Sequence, residues 1–152
     1  MLCDVLMKTS VESVSPEDSA ETAARRMRDK NIGFLPVCDR YSGKIRGTLT
    51  DRDIAMRVVA EKRPLTTPVQ QIMTRDAIYC RPDDDITTAE ELMAENLVSR
   101  IMCIDEDGQL VGVISLSDLA VMDGTNAART LEQVSAREAR LYVPLTPPVA
   151  HR

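Results

Sequence analysis

Sliding the chain along itself by 66 residues lays its first half on its second. Met7-Lys8-Thr9 falls on Met73-Thr74-Arg75, Pro16 on Pro82, Ala23 on Ala89, Met27 on Met93, Asn31 on Leu97 and Asp39 on Asp105. Further along the offset becomes 65, so that Gly47 matches Gly112 and Asp53 matches Asp118. The one-residue slip lies where Asp39-Arg40-Tyr41-Ser42-Gly43 faces Asp105-Glu106-Asp107-Gly108, two polar stretches ending in glycine. That is turn chemistry, and an insertion there costs little. A repeat of this length is one supersecondary unit, which buries its apolar face only by packing on its neighbour.

Each copy shows the same order of elements. A short strand is expected over 11–14 and over 77–80. An amphipathic helix follows, with Ala20, Ala23, Ala24 and Met27 on its apolar face in one copy and Ile86, Ala89, Leu92 and Met93 in the other. Asp18 followed by Glu21 resembles a capping box at the first helix's start. A strand over 34–38 or 101–104, the turn and a second strand over 44–49 or 110–114 come next. A second helix opens at Thr50 and at Ser115. The pattern is β-α-β-β-α, twice, an α+β fold in which two copies packed sheet to sheet share a core. With no tryptophan and one phenylalanine, that core is aliphatic. Copy one is assigned to 1–64 and copy two to 65–122, joined by the proline-bearing stretch 61–68. After Met122, Asp123-Gly124-Thr125-Asn126 breaks the chain. A charged amphipathic helix over 127–140, within a C-terminal segment 123–142, is expected outside the repeat. The tail 143–152, with Pro144, Pro147 and Pro148, is expected to be disordered.

Several chemistries are excluded at this level. The net charge of -5 argues against broad nucleic-acid or anionic-membrane binding. The four cysteines form no C-x-x-C pair, and the single histidine, His151, is next to the last residue, so no metal site is expected. Cys38 and Cys103 lie in apolar runs and read as small buried hydrophobes, a disulfide being the alternative. Neither a signal peptide nor a membrane span is apparent, and a soluble, cytoplasmic protein is expected. No Walker A loop or G-x-G-x-x-G is present, and a nucleophile would lack a base. Asp83-Asp84-Asp85 reads as a helix start, and Asp105-Glu106-Asp107-Gly108 lacks the full calcium-loop pattern.

The strongest local signal closes each copy: Gly47-Thr48-Leu49-Thr50-Asp51-Arg52-Asp53 and Gly112-Val113-Ile114-Ser115-Leu116-Ser117-Asp118. Two readings stand side by side. The hydroxyl and the acid three residues on form a capping box that needs no ligand. Alternatively, the helix start suits a phosphate, which the hydroxyl can bond while the carboxylate accepts the two hydroxyls of a ribose. In that reading the glycine lets a ligand approach the backbone. Arg52 adds a cation at the mouth of the first site only, where the second copy has Ser117.

The duplicated pattern, with Leu49-Thr50-Asp51-Arg52-Asp53-Ile54 and Gly33-Phe34-Leu35-Pro36-Val37, resembles the CBS domain family over roughly residues 5–121, in particular stand-alone bacterial CBS pairs. The resemblance implies a pseudo-twofold Bateman module whose two clefts hold AMP, ADP, ATP or S-adenosylmethionine. Carried over by motif, Asp53 with Thr50 and Asp118 with Ser115 hold ribose and phosphate, while Ile32, Pro36, Val11 and Ile78 lie against adenine. The second copy departs from the pattern: Ile101-Met102-Cys103 replaces Leu35-Pro36-Val37, Arg100 stands for Phe34, and the motif lacks a basic residue. The first-motif cleft is therefore expected to bind a phosphorylated nucleotide more tightly. The implied function is a regulatory nucleotide-sensing module, without catalysis, that pairs as a homodimer and signals by contact with an unidentified protein. An interaction or scaffold protein with non-functional clefts is the alternative. A nucleotide-acting enzyme ranks last, for want of a base, metal site or nucleophile.

Overall fold

A computed structural model describes residues 1–122 and 124–136. The expected tail and the far end of the expected C-terminal helix, 137–142, lie outside the described residues. The elements run α1 (Cys3–Leu6), α2 (Ala20–Lys30), β1 (Phe34–Cys38), β2 (Ile45–Thr50), α3 (Asp51–Ile54, continued by a π-helical turn Ala55–Val59), then a 3-10 turn Val69–Gln71. The second copy gives β3 (Tyr79–Cys80), α4 (Ile86–Asn96), β4 (Arg100–Ile104), β5 (Leu110–Ser115) and α5 (Leu116–Met122), followed by α6 (Gly124–Ser135).

The two copies fold alike. β1 pairs antiparallel with β2 from Phe34↔Thr50 to Cys38↔Ile45, and β4 pairs with β5 from Arg100↔Ser115 to Ile104↔Leu110. Both hairpins carry a register shift at the same place, Val37/Cys38 and Cys103/Ile104. Both first helices end on a left-handed residue, Asn31 (φ 53) and Leu97 (φ 57), whose N–H groups close the last turn.

They part at the outer strand. In copy two, Tyr79 and Cys80 pair parallel with Met102 and Cys103. In copy one the expected strand over 11–14 reduces to one bridge, Val14↔Val37. Pro36 accounts for this, because it has no N–H to donate to a neighbour where Met102 has one. The start of α2 also differs from expectation. Its cap is Ser19, which accepts the Thr22 N–H at 3.0 Å. Asp18 is turned back onto the preceding turn instead, accepting the Ser15 N–H at 2.8 Å and pairing with Arg40 at 2.9 Å.

The aliphatic residues form two clusters rather than one shared core. The first gathers Leu35, Val37, Leu49, Ala23 and Met27 with Val69, Ile72 and Met73. The second gathers Ile101, Cys103, Ile114, Ala89 and Met93 with Cys3, and packs Leu6 and Met7 against its side. Each copy thus sends its opening segment to the other. Residues 1–8 lie on copy two: the Cys3 and Asp4 N–H groups bond the Asp84 and Pro82 carbonyls, and Lys8 and Val113 exchange N–H···O bonds of 2.9 and 3.0 Å. Residues 67–74 lie on copy one, where Thr48 and Thr74 exchange two bonds of 2.9 Å. The glycines beside these bonds make the approach possible. A Cβ on Gly47 would collide with the Thr74 carbonyl oxygen, and one on Gly112 would come within 2.6 Å of Met7 Sδ.

The chain resumes as helix earlier than expected, at Gly124 instead of 127. α6 lays Ala127, Thr130 and Val134 inward, beside α4 and α5. Cys3, Cys80 and Cys103 are buried, Cys38 is only half-buried, and all four thiols are free. Cys80 Sγ lies 3.5 Å from Cys103 Sγ. Burial, reinforced by the neighbouring Cys80 thiol, pushes the Cys3 thiol up to about 12.

The glycines give the first prediction. Gly47→Ala meets backbone and is expected to destabilise by about 2 kcal/mol or more, within the usual range for overpacking. Gly112→Ala meets a flexible methionine and is expected to cause a smaller loss. Urea unfolding of both variants checks the order.

Candidate functional site

The two closing motifs are complete capping boxes. Thr50 Oγ1 accepts the Asp53 N–H at 3.2 Å, and Asp53 Oδ2 accepts the Thr50 N–H at 2.9 Å. In copy two Ser115 Oγ accepts the Asp118 N–H at 3.2 Å, and Asp118 Oδ2 accepts the Ser115 N–H at 2.9 Å. The Ser115 hydroxyl also donates to Asp118 Oδ2. Cap and binding site are therefore not exclusive readings. In each motif the cap bonds Oδ2, and Oδ1 meets a cation: Arg57 Nη1 at 3.5 Å for Asp53 and Lys8 Nζ at 2.7 Å for Asp118.

Each motif faces a cleft made by both copies. Thr50 and Asp53 share a cleft of about 200 Å³ with Thr74, Asp76, Ile78 and Val98 of copy two. Ser115 and Asp118 share one of about 310 Å³ with Lys8, Ser10, Val11 and Ile32 of copy one. The linings correspond position by position under the repeat: Lys8 to Thr74, Ser10 to Asp76, Ile32 to Val98. Phe34 and Arg100, themselves a repeat pair, line both clefts.

The expected site residues divide accordingly. Thr50 and Asp53 meet Ile78, while Ser115 and Asp118 meet Val11 and Ile32. Pro36 lines neither cleft, because it is buried within β1 opposite Thr48. Arg52 lines neither; it is exposed, and its own N–H bonds the Asp51 carboxylate at 2.8 Å. Arg52 was one of the grounds for expecting the first-motif cleft to be the better phosphate site, and that ground is removed. Gly47 and Gly112 likewise make room for Thr74 and Met7 of the crossing segments.

Three cations at the clefts escaped the sequence reading: Lys8, Arg57 and Arg100. Lys8 is far from Ser115 in sequence and reaches it only through the crossing. Arg100 was visible as a departure from the repeat, but nothing local put it between two clefts. Partial burial opposes ionisation of Asp118. The Lys8 ammonium and the bonds from Ser115 outweigh that and hold the carboxyl below its usual value.

Comparison with known proteins gives the class. The CBS domain profile matches residues 2–60 and 69–122, and the chain belongs to that family. CBS domain-containing protein YhcV of Bacillus subtilis is 37% identical over 131 residues, covering 85% of this chain and 91% of that protein. The CBS domain pair of protein MJ0100, in complex with 5′-methylthioadenosine and S-adenosyl-L-methionine, aligns with TM-score 0.73 and 24% identity over 82% of this chain and 97% of that one. CBS domain protein PAE2072 of Pyrobaculum aerophilum, complexed with AMP, aligns with TM-score 0.75 and 23% identity over 90% of this chain and all of that one.

The Lys8–Asp118 pair sets a pH dependence. Because the folded carboxyl titrates below its ordinary value, its ionised form adds stability above the ordinary carboxylate range. That contribution is lost as the pH falls through the folded value. Lys8→Gln is expected to raise the Asp118 titration midpoint toward its ordinary value, so that the contribution is smaller and its loss is complete at higher pH. Carboxyl-carbon NMR titration of both proteins measures the change.

Proposed function

We propose that the protein is a regulatory ligand-sensing module that binds an adenine nucleotide or S-adenosylmethionine between its two CBS repeats. The observation that carries this reading is the duplicated hydroxyl–acid pair, each facing a cleft built from both copies. Thr50 with Asp53, and Ser115 with Asp118, are assigned to the ribose and its 5′ substituent. Ile78 and Val98 in one cleft, and Val11 and Ile32 in the other, are assigned to the adenine face. The complexes of MJ0100 and PAE2072 with adenosine compounds support the ligand class. Because each cleft takes side chains from both copies, a ligand alters the contact between them. That gives a differential interaction by which binding shifts the arrangement of the module. Output then passes by protein contact, with a homodimer as the working assembly. No catalytic role is assigned to the motif residues, whose hydroxyls and acids form caps.

Thermal unfolding with AMP, ADP, ATP and S-adenosylmethionine tests this. A ligand at a hundred times its Kd adds about 2.7 kcal/mol of stability by linkage. Asp53→Ala is expected to lower the unliganded stability by about 1 kcal/mol through the lost cap. It is also expected to abolish the ligand-dependent increment at its cleft. The increment separates binding from capping, since a residue that only caps changes the baseline alone. An absence of any increment in the unsubstituted protein would point to a scaffold whose motifs serve as helix caps.

A further inference from the structure

The two clefts correspond residue for residue, yet their charges do not. At the position where the Ser115/Asp118 cleft has Lys8, the Thr50/Asp53 cleft has Thr74. Where the first has Ser10, the second has Asp76. Two substitutions at equivalent places thus favour an anion in one cleft and oppose it in the other. The remaining charges do not cancel the difference. Glu12, in the Ser115/Asp118 cleft, is met by Lys30 at 3.4 Å. Asp76 has no hydrogen bond or ion pair among the described residues. Arg57, the cation on Asp53, also donates to the Ile72 carbonyl at 2.9 Å and the Thr74 hydroxyl at 3.4 Å, and does not itself line the cleft.

Two cations are available to a phosphate. Lys8 is 70% exposed along its side chain, so its stem can pivot about the backbone bonds that pin it to Val113. Arg100 lines both clefts, and its guanidinium has no partner among the described residues.

We propose that the clefts are sorted by charge: the Ser115/Asp118 cleft takes a nucleotide bearing 5′ phosphate, and the Thr50/Asp53 cleft takes an adenosine whose 5′ substituent is neutral or cationic. This rests on the adenosine-binding reading above and adds which ligand goes where. On binding, the ribose hydroxyls take Asp118 Oδ1 and the Lys8 ammonium turns from that oxygen to the phosphate. Neither charge is left without a partner through the exchange. Arg100 joins the phosphate from the shared wall. A single cation between two clefts serves one phosphate at a time, so the chain takes one phosphorylated nucleotide.

Calorimetric titration of the full chain with AMP, adenosine and S-adenosylmethionine tests the assignment. Expected is one AMP per chain, with Lys8→Gln weakening AMP by roughly tenfold or more while leaving adenosine within about twofold. S-adenosylmethionine is expected to keep its affinity in Lys8→Gln and lose it in Asp76→Asn. Lys8 is exposed, so this variant should fold; urea unfolding verifies it. The double variant Thr74→Lys, Asp76→Ser provides the gain-of-function test and is expected to create a second AMP site. Two equivalent AMP sites in the unsubstituted protein, or equal losses of AMP and adenosine in Lys8→Gln, would overturn charge sorting and leave the adenosine reading standing. Lys8-dependent binding of GMP as tight as that of AMP would uphold the sorting and remove adenine selectivity. No binding of any adenosine compound or GMP would overturn both.

Discussion

The architecture depends on two close backbone approaches, Thr74 onto Thr48 beside Gly47 and Lys8 onto Val113 beside Gly112. Each is a pair of N–H···O bonds between a strand and a segment from the other copy. Without them each copy would keep its own leading segment, and neither Lys8 nor Thr74 would lie beside the other copy's motif. The absent Cβ is what lets the crossing chain lie so near, most strictly at Gly47, where a side chain would meet the Thr74 backbone. A glycine that the motif suggested was cleared for a ligand is occupied by the protein itself.

From that crossing follows the economy of the motif. One carboxylate supports two roles because its oxygens are divided: Oδ2 holds the turn into the helix, and Oδ1 is held by a cation in or beside the cleft. The position of the acid is thus fixed by the fold before any ligand arrives, which is the arrangement a preorganised binding group requires. Stability and recognition share an atom group, so loss of the side chain is expected to change both the unliganded baseline and the ligand-dependent increment.

Much of this was legible in the chain. The repeat fixed the order of elements, and helical and strand periodicities located the hairpins and first helices to within a residue or two. The paired motifs named Thr50, Asp53, Ser115 and Asp118. What stayed hidden depended on partners distant in sequence. Arg52 looked like a site cation from its place in the motif, but it lies exposed on the short helix that Asp51 begins and lines neither cleft. Lys8 looked like one half of an ordinary repeat match. Asp18 met the rule for a cap, yet Ser15 and Arg40 claimed its carboxylate. Pro36 was read as an adenine contact when its missing N–H was the consequential property.

That missing N–H makes two similar halves unequal in their local opening. Within the described residues, the N–H groups of residues 9–13 make no backbone hydrogen bond, while copy two has a paired strand at Tyr79–Cys80. Segments held by few such bonds exchange their amide protons through small local excursions, well below the free energy of global unfolding. Val11 and Glu12 of this loosely held stretch form one wall of the Ser115/Asp118 cleft. The substitution of proline for methionine between copies therefore leaves the segment along one cleft without the strand pairing that Tyr79 keeps in copy two, and its amide protons are expected to exchange sooner.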